Sequence, residues 1–319
     1  MRIIIYGIGA IGGTLAVMLT KAGHPVIGIA RGRQLEVVRS AGLKLRTPGG
    51  DFTERFACVG SPAEIEFAAD DIILLTMKTQ DTQPALEQLR AAGVTDQPIF
   101  CAQNGIANDD LALRLFPNVF GVVLAMPATY TTPGEVVDFF GPKLGVFDIG
   151  RHGSGDLGAA ERFADLLNGS GFAAFVHADL QPWRYAKLLM NLGNAVDAVL
   201  SDADAQATYV KAARAEGEAV LAAAGIALAP IQAPERHALG TMQDIPGADR
   251  VGSSSAQSLA RGASGIETDY LNGEIVLLGR KLGVPTPVNA YFAARAQAML
   301  RQHEALGSVS LAEVRATLG

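Results

Sequence analysis

The chain has 319 residues, of which 49% are hydrophobic and only 18% charged, and its formal net charge is −6. This length exceeds what one hydrophobic core usually serves, and the composition excludes a disordered chain. The acidic balance argues against nucleic acid as a partner, and no apolar run is long enough for a membrane span or a signal peptide. We therefore expect two domains in a cytoplasmic protein. Cys58 and Cys101 lack metal-ligand spacing, so we expect buried free thiols and no metal site.

The first half of the chain alternates short apolar strands with helices. Strands are predicted at residues 3–6, 26–30, 71–77, 98–102 and 119–125, and helices at 14–21 and 83–92. Residues 135–149, with Gly141-Pro142 in the middle, predict a hairpin at the edge of the sheet. The alternation indicates an α/β, Rossmann-type doubly wound parallel sheet, in which ligands bind at the carboxyl ends of the strands.

The second half has a different texture. Long stretches rich in alanine and leucine carry helical periodicity at residues 182–200, 205–224, 266–282 and 289–304. They predict an all-helical C-terminal domain, and hence two domains at residues 1–178 and 179–319. The segment 228–255 is rich in Pro, Gly, Ser and Asp, which is typical of a long connection or a partial lid. The apolar C-terminal helices could support a homodimer.

The strongest single motif follows the first predicted strand directly and opens the first predicted helix: Gly7-Ile8-Gly9-Ala10-Ile11-Gly12. In a dinucleotide-binding turn the first glycine allows the tight bend, the second the approach of the pyrophosphate, and the third the packing of helix on strand. The phosphates would then face free N–H groups at the helix N-terminus. The alternative is that the glycines only make a turn.

The end of the second strand bears on which dinucleotide is bound. Units that bind NAD place a carboxylate there for the ribose hydroxyls, but this chain has Arg31 and no acid before Glu36. An arginine can contact a 2′-phosphate through a charge-assisted hydrogen bond. We therefore predict NADPH/NADP as the cofactor, with a solvated surface arginine as the alternative.

Two further polar residues follow predicted strands. Lys78 comes after the strand at 71–77, and Asn104 after the strand at 98–102. Both would lie at the carboxyl edge of the sheet, where cofactor and substrate meet. Either one is equally compatible with ordinary loop chemistry.

Reduction of a carbonyl also requires a proton donor, and the five histidines show no shared pattern with an acid. Lys187 and Asn191 are four residues apart on an otherwise apolar predicted helix, so they project from one face, and Asn194 roughly shares it. Buried polar groups must pair with each other or with a ligand. The pattern indicates a catalytic lysine or, alternatively, a structural Lys–Asn network.

Near the end of the chain Ser255 closes a run of three serines, and Glu267 opens a predicted helix. An acid at a helix N-terminus is stabilised by the helix dipole, so capping is one explanation of Glu267.

Taken in order along essentially the whole chain, these motifs resemble the ketopantoate reductase family (2-dehydropantoate 2-reductases). The most specific parts are a serine twelve positions before a late glutamate and the run that begins at Glu267 and continues as Asp269-Tyr270-x-Asn272-Gly273. The resemblance implies that Lys187 is the general acid and that Glu267 holds it and the nicotinamide side in place. It implies substrate-binding roles for Asn191 and Ser255, a place for Asn104 beside nicotinamide and substrate, and cofactor contacts for Lys78 and Arg31.

The chain departs from the family pattern only on the substrate side. Members often carry a second asparagine four residues after Asn191, whereas this chain has Ala195 there and its nearest asparagine is Asn194. The residues after Ser255 also differ from the usual run. Hydride chemistry is therefore better supported than the identity of the substrate.

The sequence predicts an NADPH-dependent reductase of 2-dehydropantoate, with Asn104, Asn191, Asn194 and Ser255 near the substrate. One alternative is a reductase of another branched 2-oxo acid. The other is an NADPH-binding sensor without turnover, which would not need Lys187, Asn191, Ser255 and Glu267 in that order.

Overall fold

The computed structural model describes residues 1–249, 252–263 and 265–319. The chain forms two compact units. The first comprises Met1–Gln103, Ala107–Leu180 and Ile231–Asp249, and the second Asn104–Ile106, Gln181–Pro230 and Arg250–Gly319. The predicted boundary between residues 178 and 179 lies close to Leu180, but Ile231–Asp249 belong to the first unit and not to the second.

The first unit is built around a large β-sheet. The strands of the unit are, in chain order, β1 (Ile3–Tyr6), β2 (Val26–Ile29), β3 (Leu43–Thr47), β4 (Gly50–Glu54), β5 (Ala57–Val59), β6 (Ile72–Leu75), β7 (Ile99–Cys101), β8 (Val119–Ala125), β9 (Ala128–Thr129), β10 (Glu135–Asp138), β11 (Phe140–Pro142), β12 (Val146–Arg151), β13 (Ala173–Val176) and β14 (Gly240–Met242). The large sheet has eight strands in the spatial order β13-β12-β8-β7-β6-β1-β2-β5, in which only the β8–β12 pair is antiparallel. The predicted Rossmann-type sheet is confirmed.

Both faces of this sheet are buried, which explains its uninterrupted apolar strands. Successive side chains of a strand point to opposite faces. Accordingly Ile3 and Ile5 pack in one hydrophobic core, while Ile4 and Tyr6 pack in another. The helices of the unit are α1 (Ala10–Lys21), α2 (Gly32–Ala41), α3 (Thr82–Ala91), α4 (Ala107–Leu113), α5 (Gly158–Gly169) and α9 (Pro234–His237).

The hairpin predicted at residues 135–149 is wrong. β10 pairs in parallel with β3 in a second, four-stranded sheet, whereas β12 enters the main sheet between β8 and β13. The short β11 between them pairs with β14 instead. Pro142 has no amide hydrogen to give to a ladder, and the chain changes sheets on either side of it.

Residues 231–249 are attached to the first unit by polar contacts as well as by β14. The Arg236 guanidinium donates to both carboxylate oxygens of the buried Asp148, at 3.1 and 2.5 Å. The Arg46 guanidinium donates to the carbonyls of Pro246 and Gly247. The predicted connection at 228–255 therefore contains a helix, a strand and these anchors, and its residues 250 and 251 lie outside the described part of the chain.

The second unit is helical, as predicted. Its helices are α6 (Gln181–Asn191), α7 (Gly193–Val199), α8 (Ala203–Ala223), α10 (Ser254–Ala260), α11 (Asn272–Leu282), α12 (Pro287–Gln302) and α13 (Leu311–Leu318). The single helix predicted at 182–200 is divided at Leu192. The amide of the buried Asn272 donates to the Leu192 carbonyl at 2.9 Å, at this break in the helix.

Candidate cofactor and substrate sites

The glycine turn between β1 and α1 has the geometry that the sequence predicts. Gly7 has a φ of +112°, in the region that favours glycine. A Cβ added to Gly12 would lie 2.1 Å from the Gly7 carbonyl oxygen, so helix and strand pack without room for a side chain. A Cβ added to Gly9 would have no neighbour within 4 Å. Gly7 and Gly12 are therefore needed for the backbone bend and the packing of the fold, whereas Gly9 leaves open space beside the turn.

The turn also presents a helix N-terminus to this space. α1 begins at Ala10, and Gly9 at its N-cap supplies no side chain to cap the first amides. Those amides have no partner inside the helix. Open space beside unsatisfied N–H groups fits a pyrophosphate.

Two side chains that sequence reasoning missed hold this turn, the partly exposed Thr76 and the buried Gln34. The Thr76 hydroxyl donates to the Gly7 carbonyl at 2.7 Å. The Gln34 amide donates to the Ile8 carbonyl at 3.0 Å, and its oxygen accepts from the Gly134 amide at 2.8 Å. The signal for Thr76 was its place at the end of β6, next to the end of β1. Gln34 lies on α2 and gave no such signal.

The two basic residues predicted at the carboxyl edge occupy different surroundings. Arg31 follows β2 at the N-cap of α2, with a side chain that is 72% exposed and lies 3.6 Å from the Asp81 carboxylate. Lys78 is partly buried and immediately precedes a short 3₁₀ helix, Thr79–Asp81. Arg31 is therefore accessible to a ligand, although the Asp81 carboxylate lies beside it.

In the second unit, Lys187 has the surroundings of a proton donor. It lies on α6 and is partly exposed, and burial alone, with no hydrogen bond or ion pair to a described residue, shifts the pKa of its ammonium. The protein atoms around it lower the pKa of Lys187 from its ordinary 10.5 to about 8, because burial disfavours the charged form. A lysine with this pKa can both give and regain a proton near neutral pH.

Asn191 and Asn104, both predicted near the substrate, form a hydrogen bond with each other. The Asn191 amide donates to the Asn104 side-chain oxygen at 3.1 Å. Asn104 belongs to the three-residue loop Asn104–Ile106, which forms part of the second unit. Lys187 precedes Asn191 by one helical turn, so the lysine and both asparagines lie in the same region of this unit.

The loop that carries Asn104 is held by a buried arginine that the sequence analysis did not single out. The Arg184 guanidinium, which is 3% exposed, donates to the Gly105 carbonyl at 2.9 Å. Gly105 has a φ of +83°, and a Cβ there would lie 2.9 Å from the Tyr270 carbonyl oxygen. Arg184 precedes Lys187 by three residues on α6, and this spacing was the available signal.

Ser255 is buried in the first turn of α10, and its hydroxyl has no hydrogen-bond partner among the described residues. Its neighbours are used structurally. Ser253 caps the helix by accepting from the Ala256 amide, and the Asn194 amide donates to the Ser254 hydroxyl at 3.3 Å. Among residues 253–255 of the described chain, Ser255 is the serine whose hydroxyl forms no hydrogen bond.

Glu267 opens the 3₁₀ helix Glu267–Tyr270 and is buried. Among the described residues no ion pair joins it to Lys187, whose pKa is lowered by burial alone. Ala195, at the position where the resemblance leads us to expect an asparagine, is fully buried in an apolar cluster with Val196 and Phe292. That position contributes packing to this chain.

Within residues 1–249, 252–263 and 265–319, no group of three or more His, Cys, Asp and Glu side chains could hold a metal ion. In the same residues, no helix is long and apolar enough to cross a membrane. Cys58 and Cys101 are both buried thiols that form no disulfide with a described residue, as predicted.

Comparison with known proteins gives consistent matches over nearly the whole chain. The family model for "Ketopantoate reductase PanE/ApbA" matches residues 3–152, and the model for its C-terminal part matches residues 179–300. A curated relative, the 2-dehydropantoate 2-reductase of Archaeoglobus fulgidus, is 27% identical over 90% of this chain and 94% of its own length.

Solved structures show the same two-part architecture. The PanE/ApbA family ketopantoate reductase from Ralstonia eutropha has a TM-score of 0.79 at 29% identity, covering 95% of this chain and 99% of that one. D-mandelate dehydrogenase, solved with NADH and anilino(oxo)acetate, has a TM-score of 0.80 at 24% identity and the same coverage, which shows a shared fold.

The fold and the glycine turn define an oxidoreductase of the nicotinamide-dinucleotide class that acts on CH–OH groups. The chain belongs to the ketopantoate reductase PanE/ApbA family, as the resemblance predicted.

Proposed function

We propose that this protein is an NADPH-dependent reductase that converts 2-dehydropantoate to (R)-pantoate in pantothenate biosynthesis, with Lys187 as the general acid. The observation that carries the proposal is the state of Lys187. Burial lowers the pKa of its ammonium to about 8, and no described residue forms a hydrogen bond or an ion pair with it. A carbonyl oxygen that gains negative charge during reduction would supply the missing partner.

The first unit supports the dinucleotide half of this proposal. The free amides at the start of α1 and the open space at Gly9 would receive the pyrophosphate. Arg31 would contact the 2′-phosphate, and Lys78 would lie on the cofactor side. When bound, the nicotinamide supplies the hydride that reduces the substrate.

The second unit supplies the polar groups that would bind the 2-oxo acid substrate. A buried hydroxyl without a partner costs about 1–3 kcal/mol, so a ligand group that bonds to Ser255 would recover this loss. The hydrogen bond from Asn191 to Asn104 holds the two amide groups together, and amide groups can both donate to and accept from a substrate. We assign substrate contacts to Asn104, Asn191 and Ser255, and we assign Glu267 to support of this region.

The proton step follows from these positions. As hydride reaches C2 of the 2-oxo acid, the Lys187 ammonium gives a proton to the C2 oxygen, and the product is the 2-hydroxy acid. Lys187 is left neutral in a low-dielectric site. With a pKa of about 8 it takes up a proton from water at neutral pH, which prepares the next turnover.

A second candidate is the same reaction on another branched 2-oxo acid. Ala195 is fully buried and apolar where family members often have a polar asparagine. The Asn194 amide already donates a hydrogen bond to the Ser254 hydroxyl, so it does not take the place of the missing asparagine.

The test is the consumption of NADPH, followed at its absorbance band, with 2-dehydropantoate and a panel of branched and aromatic 2-oxo acids. We expect the highest kcat/KM with 2-dehydropantoate. A higher kcat/KM with another 2-oxo acid would show that 2-dehydropantoate is not the preferred substrate, and the proposed mechanism would still stand. Tight NADPH binding with no turnover of any 2-oxo acid would overturn the enzymatic proposal in favour of a sensor.

A further inference from the structure

An acidic residue lies beside the arginine on which the choice of cofactor depends. The Arg31 guanidinium and the Asp81 carboxylate are 3.6 Å apart, and their side chains are 72% and 44% exposed. Both residues follow strands of the main sheet, Arg31 after β2 and Asp81 after β6. The pair therefore lies at the carboxyl edge, where this fold binds its ligand.

Asp81 is not needed there for the helix that it precedes. It occupies the N-cap of α3, where an aspartate usually accepts a hydrogen bond from the first helical amides, but its side chain caps none of them. The carboxylate is directed instead to a residue 50 positions earlier in the chain.

The charges of Arg31 and Asp81 both act on a third residue, Tyr6. Burial raises the pKa of the Tyr6 phenol, the Arg31 charge lowers it, and the Asp81 charge raises it. Tyr6 is the last residue of β1, which lies between β2 and β6. The two opposite charges thus face the end of the central strand from either side.

We propose that Asp81 is a determinant of cofactor specificity, and that it narrows the preference of this protein for NADPH over NADH. The inference rests on the proposed role of Arg31. A phosphate monoester carries about −1.5 to −2 charges at pH 7, so a bound 2′-phosphate must compete with Asp81 for Arg31. NADH has no such group, and a carboxylate at this edge can accept its ribose hydroxyl.

The size of the effect follows from exposure. Exposed ion pairs contribute little because water and salt screen them, and about a two- to fivefold change in relative affinity is expected from one such pair. Asp81 would therefore moderate a preference that Arg31 sets, and would not reverse it.

The matched control is Glu87, which lies on the same helix. Its side chain is 41% exposed and forms an ion pair with Arg90, so it resembles Asp81 in exposure and charge. Asp81→Asn and Glu87→Gln each remove one negative charge from the same region of the unit. Asparagine is also a good N-cap residue, so the start of α3 should be preserved.

The experiment measures Kd for NADPH and for NADH by fluorescence titration of the whole protein, without any 2-oxo acid. We expect Asp81→Asn to raise the ratio Kd(NADH)/Kd(NADPH) about two- to fivefold, with a smaller gain at high salt. Glu87→Gln should leave the ratio unchanged. Arg31→Ala should lower it, and in that background Asp81→Asn should raise it by less than in the wild type, because only the contact with the ribose hydroxyl is then removed.

An unchanged or lower ratio in Asp81→Asn would overturn the inference, as would an equal rise in Glu87→Gln. The outcome is separate from the fate of the proposed function. If the wild-type protein binds NADH more tightly, NADPH is the wrong cofactor, yet a shift towards NADPH in Asp81→Asn still supports the role of Asp81. If no 2-oxo acid is reduced, the titrations are unaffected.

Discussion

The two candidate sites of this protein are built in different ways. The candidate pyrophosphate site of the first unit is made from backbone, in the six-residue run 7–12 that covers the turn after β1 and the first residues of α1. The candidate substrate site of the second unit is made from side chains on a loop, on α6 and on α10, which are separated by up to about 150 positions. A backbone site depends on the absence of side chains, whereas a side-chain site depends on the placement of each one.

This difference predicts how each site fails. A side chain added to the glycine turn should damage packing or exclude the ligand, depending on which glycine receives it. A side chain removed from the second unit should leave the fold intact and affect turnover or substrate affinity alone. Four measurements test these expectations, in order of the effect that we expect.

Lys187→Ala removes the proposed proton donor and should lower kcat by about 10²–10⁴-fold, the usual contribution of general acid catalysis. The Kd for NADPH should be nearly unchanged, because the cofactor turn belongs to the first unit. Lys211→Ala, an exposed lysine of α8, is the control and should retain full activity. An equal loss of cofactor binding in Lys187→Ala would show that the assignment is wrong.

Gly12→Ala and Gly9→Ala separate the two uses of glycine in the turn. At Gly12 the new Cβ would overlap the Gly7 carbonyl, so overpacking should lower the free energy of unfolding by about 1–3 kcal/mol or more. At Gly9 the Cβ meets open space, so stability should hold while NADPH affinity falls. Thermal unfolding and fluorescence titration measure the two quantities. Equal stability losses in both variants would contradict this division of roles.

The pH dependence of reduction tests the protonated state of Lys187. Its pKa is lowered to about 8, so the ammonium is present below that pH and is lost as the pH rises through it. The rate of reduction should therefore be high at pH 6–7 and fall about tenfold per pH unit well above the pKa. Steady-state rates at saturating NADPH measure the profile. A rate that increases through pH 8 would require the neutral amine and reverse the proposed role.

Ser255→Ala and Ser258→Ala compare two buried hydroxyls of one helix. Ser255 has no partner among the described residues, whereas Ser258 donates to the Ser254 carbonyl at 2.8 Å. Ser255→Ala removes the unpaired buried hydroxyl, so it should raise the free energy of unfolding by up to about 1–3 kcal/mol, and it should raise KM for the 2-oxo acid about three- to tenfold, the worth of one hydrogen bond. Ser258→Ala should cost about 1 kcal/mol of stability and leave KM unchanged. The reverse pattern would assign Ser255 to the fold.

Sequence reasoning was most successful where structure is local. The predicted strand at 3–6, the glycine turn and the strand at 119–125 match the structure because apolar runs and glycine conformations act over a few residues. The face of Lys187 and Asn191 was also predictable, since helical spacing alone puts them together. The prediction of a hairpin at 135–149 was wrong because the residues of a strand do not determine which other strand it pairs with.

What the sequence determined by itself is therefore the class of fold, the cofactor turn and the order of the polar residues that the family shares. Only the tertiary structure decided that residues 231–249 return to the first unit and that Arg184 holds the Asn104 loop. It also decided that Ser255 is buried without a partner and that Asp81 faces Arg31. The physical reason is one of range. Backbone preferences and periodicity act between neighbours, whereas burial, pairing and charge depend on which distant segments the fold brings into contact.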